Sequence, residues 1–302
     1  MLSDNEAWCK VELLEIISRI DAVSISPNAI ITQLKHEEDG DYYQVWRIDT
    51  AATSYILKKA KGRETVIYQT LLGNFCDGVP KLYQVITAGE NTYLLLEYID
   101  GEDLCKCNRT KLCGALDALI TLQEKTWEDS DFAHGETFFA ESLVQRQNRG
   151  RYLCDEQLEE AYEAFLRVYQ SVPRALCHDD LLGFNVIYSQ QKSVLIDWEV
   201  GGILPYPTSF ARLIAHAEEN AEALFYMTQE DKVFAVDYYY DRLLKSKGIS
   251  YQAWIDTLQY FLFYEYCEWV YVGNKYNATD GAYFQKYLPM AKAQAAQLLK
   301  KV

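Results

Sequence analysis

The stretch of sequence that decides the fold is HDDLLGFN at residues 178–185, together with IDWE at residues 196–199. Two short apolar runs, NVIYS and SVLIDW, are joined by QQK in this part of the chain and predict a β-hairpin. Because a hairpin brings the ends of its two strands together, we expect the side chains at 185 and 197 to lie near each other. The alternative interpretation is a solvated acidic turn after a core strand.

Three oxygen-bearing side chains of this stretch match the requirements of phosphoryl transfer. The reaction needs a carboxylate that orients the attacking hydroxyl and accepts its proton, and oxygen ligands that hold Mg²⁺ against the nucleotide phosphates. Asp180, Asn185 and Asp197, which ends the next apolar run, carry these groups. Phosphoryl transfer to a hydroxyl is therefore the leading interpretation.

The pattern H-x-D-x4-N followed by I-D-[FW]-E resembles that of the aminoglycoside phosphotransferase and choline kinase superfamily. The resemblance implies an α+β, two-lobed, protein-kinase-like fold, with a small antiparallel-sheet N-lobe that has one helix and a larger, mainly α-helical C-lobe. It implies that Asp180 is the catalytic-loop aspartate and that Asn185 and Asp197 are catalytic metal ligands. It also implies that His178 braces the loop, and Glu199 matches an acid that often follows the metal aspartate in choline-kinase-like members.

A strand lysine and a helix glutamate are further parts that such kinases need. The lysine reaches the α and β phosphates, and the glutamate holds it through an ion pair. The strand SYILKK offers Lys58 and Lys59, and we favour Lys58 because it shares a strand face with Ile56. The next helix, with the pattern ExxIYxxL, offers Glu64. The alternative for Glu64 is a surface acid near a helix N-terminus.

The segment LEYIDGEDL at 96–104 looks like the interlobe hinge of the same superfamily. Backbone groups at Glu97, Tyr98 and Ile99 would then face the adenine of ATP.

Two features depart from the family pattern. The nucleotide-covering loop HEEDGDY at 36–42 has one glycine and four acids where phosphates would approach, and Ser209 stands where relatives commonly carry an aspartate that braces the catalytic loop.

The order of the predicted elements supports two lobes. A helix at 4–20 and three strands at 30–35, 42–48 and 54–59 are followed by a helix at 62–74 and by strands at 81–88 and 92–99. Long amphipathic segments then dominate, at 104–125, 136–149, 155–170 and from 208 to the end. We therefore expect an N-terminal nucleotide-binding lobe at 1–99 and a C-terminal catalytic and substrate-binding lobe at 100–302.

The composition excludes some classes of function and favours others. The 302 residues include 44 acidic and 29 basic side chains, so the formal net charge is 29 − 44 = −15. This charge repels the phosphate backbone of nucleic acids and attracts cations.

Other sequence features bear on the location of the protein. The acidic N-terminus does not resemble a signal peptide, and no apolar run is long enough to span a membrane. The eight cysteines are scattered along the chain. We expect a cytoplasmic protein with reduced thiols and no membrane or nucleic-acid partner.

The sequence predicts the acceptor less specifically than it predicts the catalytic residues. Residues 251–271 are crowded with aromatic side chains, and aromatic faces beside carboxylates suit a hydroxylated cation. The alternative is a buried helix whose aromatic side chains pack into the core. His216, Glu218 and Glu219 also have two interpretations, since they belong either to the acceptor cleft or to a solvated face. The candidate acceptor-binding acids are Asp179, Glu199, Glu265 and Glu268.

The leading hypothesis is an ATP- and Mg²⁺-dependent small-molecule kinase. Its acceptor would be an aminoglycoside, choline, ethanolamine or an amino sugar. A protein kinase is disfavoured because a DFG motif and an APE-type motif are both missing from the sequence. The alternative from another class is a pseudokinase or coat-type binding protein that keeps the fold without turnover, which the acidic loop and Ser209 motivate.

Overall fold

The computed structural model divides the chain into two compact units, which are described here one after the other. The first unit comprises Met1–Asp100 with Asp197–Glu199, and the second comprises Gly101–Ile196 with Val200–Val302. The residues that the structure describes are 12–35, 41–75, 77–129, 134–190 and 192–300. Most of the predicted nucleotide-covering loop, residues 36–40, lies outside them.

In its described residues the first unit is a five-stranded antiparallel sheet with two α-helices. Its elements are α1 (12–18), β1 (Ile30–Lys35), β2 (Tyr42–Asp49), β3 (Ser54–Lys59), α2 (Glu64–Thr70), β4 (Leu82–Ala88) and β5 (Asn91–Glu97). The predicted order of three strands, a helix and two strands is confirmed. The first part of the predicted helix at 4–20 lies outside the described residues, and a 3₁₀ turn at Leu72–Asn74 ends the predicted helix at 62–74.

The sheet order β1-β2-β3-β5-β4 places β3 in the centre. Lys58 on β3 lies opposite Val45 on β2 and Leu94 on β5, so the strand that carries it is paired on both sides. Apolar side chains of one sheet face, including Ile48 and Leu57, form a buried cluster with Ile16 of α1. Burial of these side chains, each contributing about 1.5–3 kcal/mol, stabilises the strand that carries the candidate lysine.

The second unit is mainly helical. Its helices are α3 (Arg109–Lys125), α4 (Gly135–Gly150), α5 (Glu156–Ser171), α6 (Pro207–Ala215), α7 (Gln229–Arg242), α8 (Tyr251–Lys275) and α9 (Ala282–Leu298). Four helices begin at a side chain that accepts a hydrogen bond from a backbone N–H in their first turn: Asn108, Asp155, Thr228 and Ser250. Such caps satisfy N–H groups that have no partner inside the helix and stabilise each start by about 1 kcal/mol.

Short strands position the candidate loops of the second unit. The strands are β6 (Glu102–Asp103), β7 (Arg174–Cys177), β8 (Val186–Ser189), β9 (Lys192–Leu195) and β10 (Gly202–Pro205). The predicted hairpin is confirmed, because β8 and β9 pair antiparallel from Val186 with Leu195 to Ser189 with Lys192. The antiparallel pair of β7 and β10 was not predicted, because four-residue strands that pair across an intervening hairpin carry too little periodicity.

The aromatic helix α8 is a core element. Trp254, Phe261, Phe263 and Tyr264 are buried, and Phe165 of α5 stacks on Tyr264 with ring centroids 4.9 Å apart. Of the two interpretations of residues 251–271, packing into the core is therefore the correct one for these side chains. Among the described residues, none of the helices combines the length and hydropathy needed to span a bilayer.

Candidate functional site

Lys58 is the centre of an ion-pair cluster in the first unit, in which Lys58 and Glu64 are buried and Asp197 is partly exposed. Its Nζ lies 2.7 Å from Glu64 Oε1 and 2.5 Å from Asp197 Oδ1. Strand alternation explains the choice between the two lysines, because Lys58 is buried whereas Lys59, on the opposite face, is half-buried. The ion pair expected between a strand lysine and the helix after it is present, and Glu64 is a fully buried side chain instead of a surface acid.

The electrostatics of this cluster follow from its burial. Burial raises the pKa of Glu64, and the charge of Lys58 opposes that rise. Burial lowers the pKa of Lys58, but the carboxylates of Glu64 and Asp197 raise it by more. The pKa of Lys58 therefore lies above the ordinary value of a lysine. Lys58 thus stays protonated at neutral pH, which leaves a fixed positive charge inside the first unit.

The segment after the hairpin is strained at the candidate metal ligand. Asp197 has a positive φ of 66°. Residues other than glycine rarely adopt this backbone region. The carbonyl oxygen of Glu199 accepts a hydrogen bond from the Arg63 N–H at 3.4 Å, and a Cβ at Gly62 would lie 2.9 Å from the same oxygen. Close approach to the turn before α2 thus fixes Asp197 beside Lys58. Strain of this kind is common at functional sites.

The predicted hinge residues follow the central strands of the first unit. Glu97 ends β5, and its N–H donates to the Lys81 carbonyl at 2.9 Å. The guanidinium of Arg47 stacks on the Tyr98 ring at 4.1 Å and donates to the Tyr98 hydroxyl at 2.9 Å. Tyr98 and Ile99 have no regular secondary structure and are half-buried. Their contact with adenine stays a prediction.

Asp180 lies after β7 in the second unit, and an arginine holds its carboxylate. Arg212 of α6 donates to Asp180 Oδ1 from Nε at 3.1 Å and from Nη2 at 2.8 Å. Both hydrogen bonds end on one oxygen, and about a third of the Asp180 side chain (35%) remains exposed. Sequence reasoning missed Arg212. The available signal was one charged residue inside the apolar helix PTSFARLIA.

The candidate catalytic loop is braced despite the serine at the expected aspartate position. The Ser209 hydroxyl accepts the His178 backbone N–H at 2.8 Å, and His178 Nε2 lies 2.6 Å from the Ile196 carbonyl oxygen. His178 is buried and ties the loop to the end of the hairpin, in agreement with the predicted bracing role. One of the two features that motivated the pseudokinase alternative therefore has a structural replacement.

Asn185 is oriented by the same loop. Its Nδ2 donates to the Asp180 carbonyl at 2.8 Å, and its own carbonyl accepts the Ile196 N–H at 3.0 Å. Because the amide nitrogen is already bound, the side-chain Oδ1 is the atom left to act as a ligand. An amide oxygen at Asn185 and carboxylate oxygens at Asp197 are the hard donors that Mg²⁺ prefers, so the chemistry of these donors fits the predicted metal.

Three of the four predicted acceptor-binding acids contact arginines in the second unit. Asp179 Oδ1 lies 2.5 Å from Nη2 of the buried Arg146, Glu265 Oε2 lies 2.9 Å from Arg212 Nη1, and Glu268 pairs with Arg149. Their charges are thus balanced inside the protein. For the fourth, Glu199, no ion pair is found among the described residues.

The other predicted cleft residues separate into buried and surface groups. His216 is buried, with Nδ1 2.8 Å from the Tyr287 hydroxyl and Nε2 3.1 Å from Glu265. Glu218 forms a surface ion pair with Lys286 at 2.6 Å, and Glu219 is exposed. His216 therefore supports the buried network around Glu265, whereas the two glutamates fit the solvated-face alternative.

Comparison with known families gives a match over most of the chain. The family model described as "Phosphotransferase enzyme family" matches residues 32–242, a range that contains Lys58, Asp180, Asn185 and Asp197. No curated protein sequence matches the chain.

Solved structures of three kinases resemble the chain over nearly its whole length. A choline/ethanolamine kinase family protein from Mesorhizobium loti aligns with a TM-score of 0.63 at 15% identity, covering 96% of this chain and 94% of its own. Choline kinase from Cryptosporidium parvum Iowa II gives 0.59 at 13% identity, covering 99% and 96%. An amicoumacin kinase in complex with AMP-PNP, Ca²⁺ and Ami gives 0.56 at 14% identity, covering 100% and 94%. These likenesses show the protein-kinase-like α+β fold.

Proposed function

Because the chain belongs to the phosphotransferase enzyme family and is a phosphotransferase with hydroxyl acceptors, we propose that it transfers the γ-phosphoryl group of ATP, with Mg²⁺, to a small molecule. The observation that carries this proposal is the buried Lys58 ammonium between Glu64 and Asp197. A lysine fixed by a helix glutamate and facing a metal-binding aspartate is the arrangement that such kinases use to hold nucleotide phosphates.

In the proposed reaction Lys58 binds the phosphates and Glu64 keeps the ammonium in position. Asn185 and Asp197 would hold Mg²⁺, which neutralises the charge of the phosphates when it is bound. Backbone groups at Glu97, Tyr98 and Ile99 bind the adenine. The N-terminal unit is accordingly the nucleotide-binding part of the chain.

Asp180 orients the acceptor hydroxyl and takes its proton. Arg212 contacts only Oδ1, so Oδ2 remains for the hydroxyl. Holding one carboxylate oxygen fixes the direction of the other, and such positioning supplies a large part of catalysis in phosphoryl transfer. The second unit is accordingly the catalytic and substrate-binding part.

The acceptor is a hydroxylated small molecule. The names of two similar structures, a choline kinase and an amicoumacin kinase, put hydroxylated amines among the candidates. The predicted selection of a cation by four carboxylates has weaker support, because Asp179, Glu265 and Glu268 already have arginine partners. Glu199 is the candidate that keeps its carboxylate for a cation.

The test is Mg²⁺-dependent ATP consumption with a panel of aminoglycosides, choline, ethanolamine, amino sugars and hydroxy acids. We expect turnover with at least one member, loss of about 100-fold or more in kcat for Asp180→Asn, and weaker nucleotide binding for Lys58→Met. Lys59→Met is the matched control for the second variant. Nucleotide binding without turnover across the panel would favour the pseudokinase alternative, and equal activity of Asp180→Asn and wild type would refute the role of Asp180.

A further inference from the structure

A cavity of about 300 Å³ opens between α4 and α8 in the second unit. Its volume is at the lower end of those that hold small molecules. The residues that line it are Gln145, Asn148, Arg149, Tyr152, Tyr271 and Lys275. None of these six described residues carries a carboxylate, although the whole chain has a net charge of −15. The lining therefore differs in charge from the rest of the molecule.

The cationic groups of this cavity are held in place and keep free donors. Arg149 uses Nη1 for its hydrogen bonds to Glu268 and to the Tyr264 hydroxyl, which leaves Nη2 and Nε for a ligand. Lys275 donates to the Tyr271 hydroxyl at 2.6 Å and also hydrogen-bonds Tyr276, which leaves one N–H of its ammonium. Two amide side chains, Gln145 and Asn148, add neutral donors. Such a set favours ligands with several acceptor oxygens.

Two aromatic rings form a wall of the cavity. Tyr152 and Tyr271 meet edge to face with ring centroids 5.7 Å apart, and the Lys275 ammonium lies 5.0 Å from the Tyr271 centroid. The Asn274 side chain donates to the Tyr152 carbonyl at 2.8 Å, so the segment that follows α4 is anchored to α8. The cavity is thus built by contacts between the two helices and does not depend on a single surface side chain.

Arg149 of the cavity lies about one helical turn from an arginine that binds the candidate catalytic loop. Arg146, which binds Asp179 beside Asp180, and Arg149 are three residues apart on α4, or about 4.5 Å along the helix axis. The carboxylate partner of Arg149, Glu268, also lies 3.9 Å from Arg212, which holds Asp180. A ligand in the cavity would therefore contact the same ion-pair network that positions Asp180.

We propose that this cavity binds the carboxylate or phosphate group of a small molecule. Its positive donors recognise the anion, and Tyr152 and Tyr271 pack against the body of the molecule. This assignment rests on the proposed function. The anionic group then belongs either to the acceptor or to a separate regulatory molecule. Anion binding itself is measured without nucleotide, so a failure of the kinase assay leaves the binding result intact.

The test is calorimetric titration of the full chain with inorganic phosphate and with succinate, at constant ionic strength set by NaCl. We expect saturable binding of at least one probe. Gln145→Glu adds a negative charge to the lining and is expected to weaken binding about fivefold. Gln147→Glu makes the same change on an exposed residue of α4 outside the lining and is expected to leave binding unchanged. Lys275→Gln, which removes a cation, is expected to weaken binding about as much as Gln145→Glu.

Circular dichroism melts of each variant separate loss of binding from loss of fold. Absence of saturable binding by the wild type, or equal effects of Gln145→Glu and Gln147→Glu, would overturn the proposal. Once the panel has given an acceptor, competition between the probe and that acceptor assigns the anionic group to the acceptor. Inhibition or activation without competition assigns it to a separate regulatory molecule.

Discussion

Arg212 connects the candidate base to a buried acidic pair. Its guanidinium binds Asp180 Oδ1 on one side and Glu265 on the other, and its side chain is mostly buried. Burial lowers the pKa of Arg212, but the nearby carboxylates, Glu265 and Glu268 first among them, together raise it more, so the arginine stays charged. A planar guanidinium with several donors suits this bridging position better than an ammonium does. Arg212 therefore acts on the proposed reaction through Asp180, as a positioning residue.

Arg212→Lys is the variant that tests this positioning. Lysine keeps the positive charge but cannot bind Asp180 and Glu265 in the same geometry. We expect kcat to fall by about 10- to 100-fold while the KM for ATP changes little, because a small displacement of a reacting group has this effect. Arg242→Lys, on the exposed surface of α7, is the control. A rise in KM for ATP with unchanged kcat would contradict a role for Arg212 at Asp180.

Glu265 links the same network to acid stability. Although burial raises the pKa of this carboxyl, Arg212 and His216 lower it more, to about 2 from an ordinary value of 4.5. A depressed pKa in the folded state means that the stabilisation is present above pH 4.5 and is lost as the pH falls towards 2. Because each pKa unit corresponds to 1.36 kcal/mol, the loss is about 3 kcal/mol.

Chemical denaturation between pH 6 and pH 2.5 measures this contribution. We expect the free energy of unfolding of Glu265→Gln to depend less steeply on pH than that of the wild type, because the amide does not titrate. Glu159→Gln, at an exposed position on α5, controls for the removal of one carboxylate. Parallel pH curves for wild type and Glu265→Gln would show that the network does not depress the pKa of this residue.

At the scale of elements, β6 shows how closely the backbone of the second unit is packed. Glu102 and Asp103 pair with Tyr188 and Ile187 of β8, which begins directly after Asn185. A Cβ at Gly101 would lie 2.3 Å from the Tyr188 carbonyl oxygen. Backbone atoms in a paired strand cannot move aside as a flexible side chain can, so this position admits only glycine.

Gly101→Ala is expected to separate β6 from β8 and to destabilise the protein by about 1–3 kcal/mol. Because β8 starts at the candidate catalytic loop, we also expect kcat to fall more than nucleotide affinity does. Gly135→Ala at the start of α4 is the matched control, since its Cβ would make an ordinary contact of 3.6 Å with Ile203. Thermal unfolding of the two variants compares them, and equal stability would contradict the steric explanation.

The elements that sequence alone predicts are those whose signal is local. The alternation in SYILKK identified β3 and the choice of Lys58, and the turn between the runs NVIYS and SVLIDW identified the β8–β9 hairpin. The pairing of β7 with β10 and the contact between Arg212 and Asp180 join positions far apart in sequence. No periodicity records such pairs, and charge alone did not indicate that Glu265 and Glu268 face arginines instead of solvent.

At the scale of the whole molecule, acidic side chains outnumber basic ones by 15. The acids of the two networks, around Lys58 and around Arg212, have cationic partners. On α5, in contrast, exposed Glu156, Glu160 and Glu163 lie at spacings of four and three residues. Like charges at these spacings repel one another by about 0.2–0.5 kcal/mol per pair. The proposed function uses a few carboxylates, whereas those on α5 contribute repulsion that salt can screen.

Salt should therefore stabilise this protein, and the size of the effect should depend on the charge at Glu160. Because the Debye length falls from about 30 Å at 0.01 M to about 3 Å at 1 M ionic strength, NaCl screens the repulsion on α5 and raises Tm. Glu160→Lys turns two repulsive pairs into attractive ones, so at low salt its Tm should exceed that of the wild type by about 2–4 °C. Screening then weakens the attraction, and the rise of Tm with NaCl should be smallest for Glu160→Lys, intermediate for Glu160→Gln and largest for the wild type. Differential scanning calorimetry at several NaCl concentrations measures this order. An identical salt dependence in all three proteins would mean that salt acts on apolar burial or on ion binding, and that the surface charge has little influence on stability.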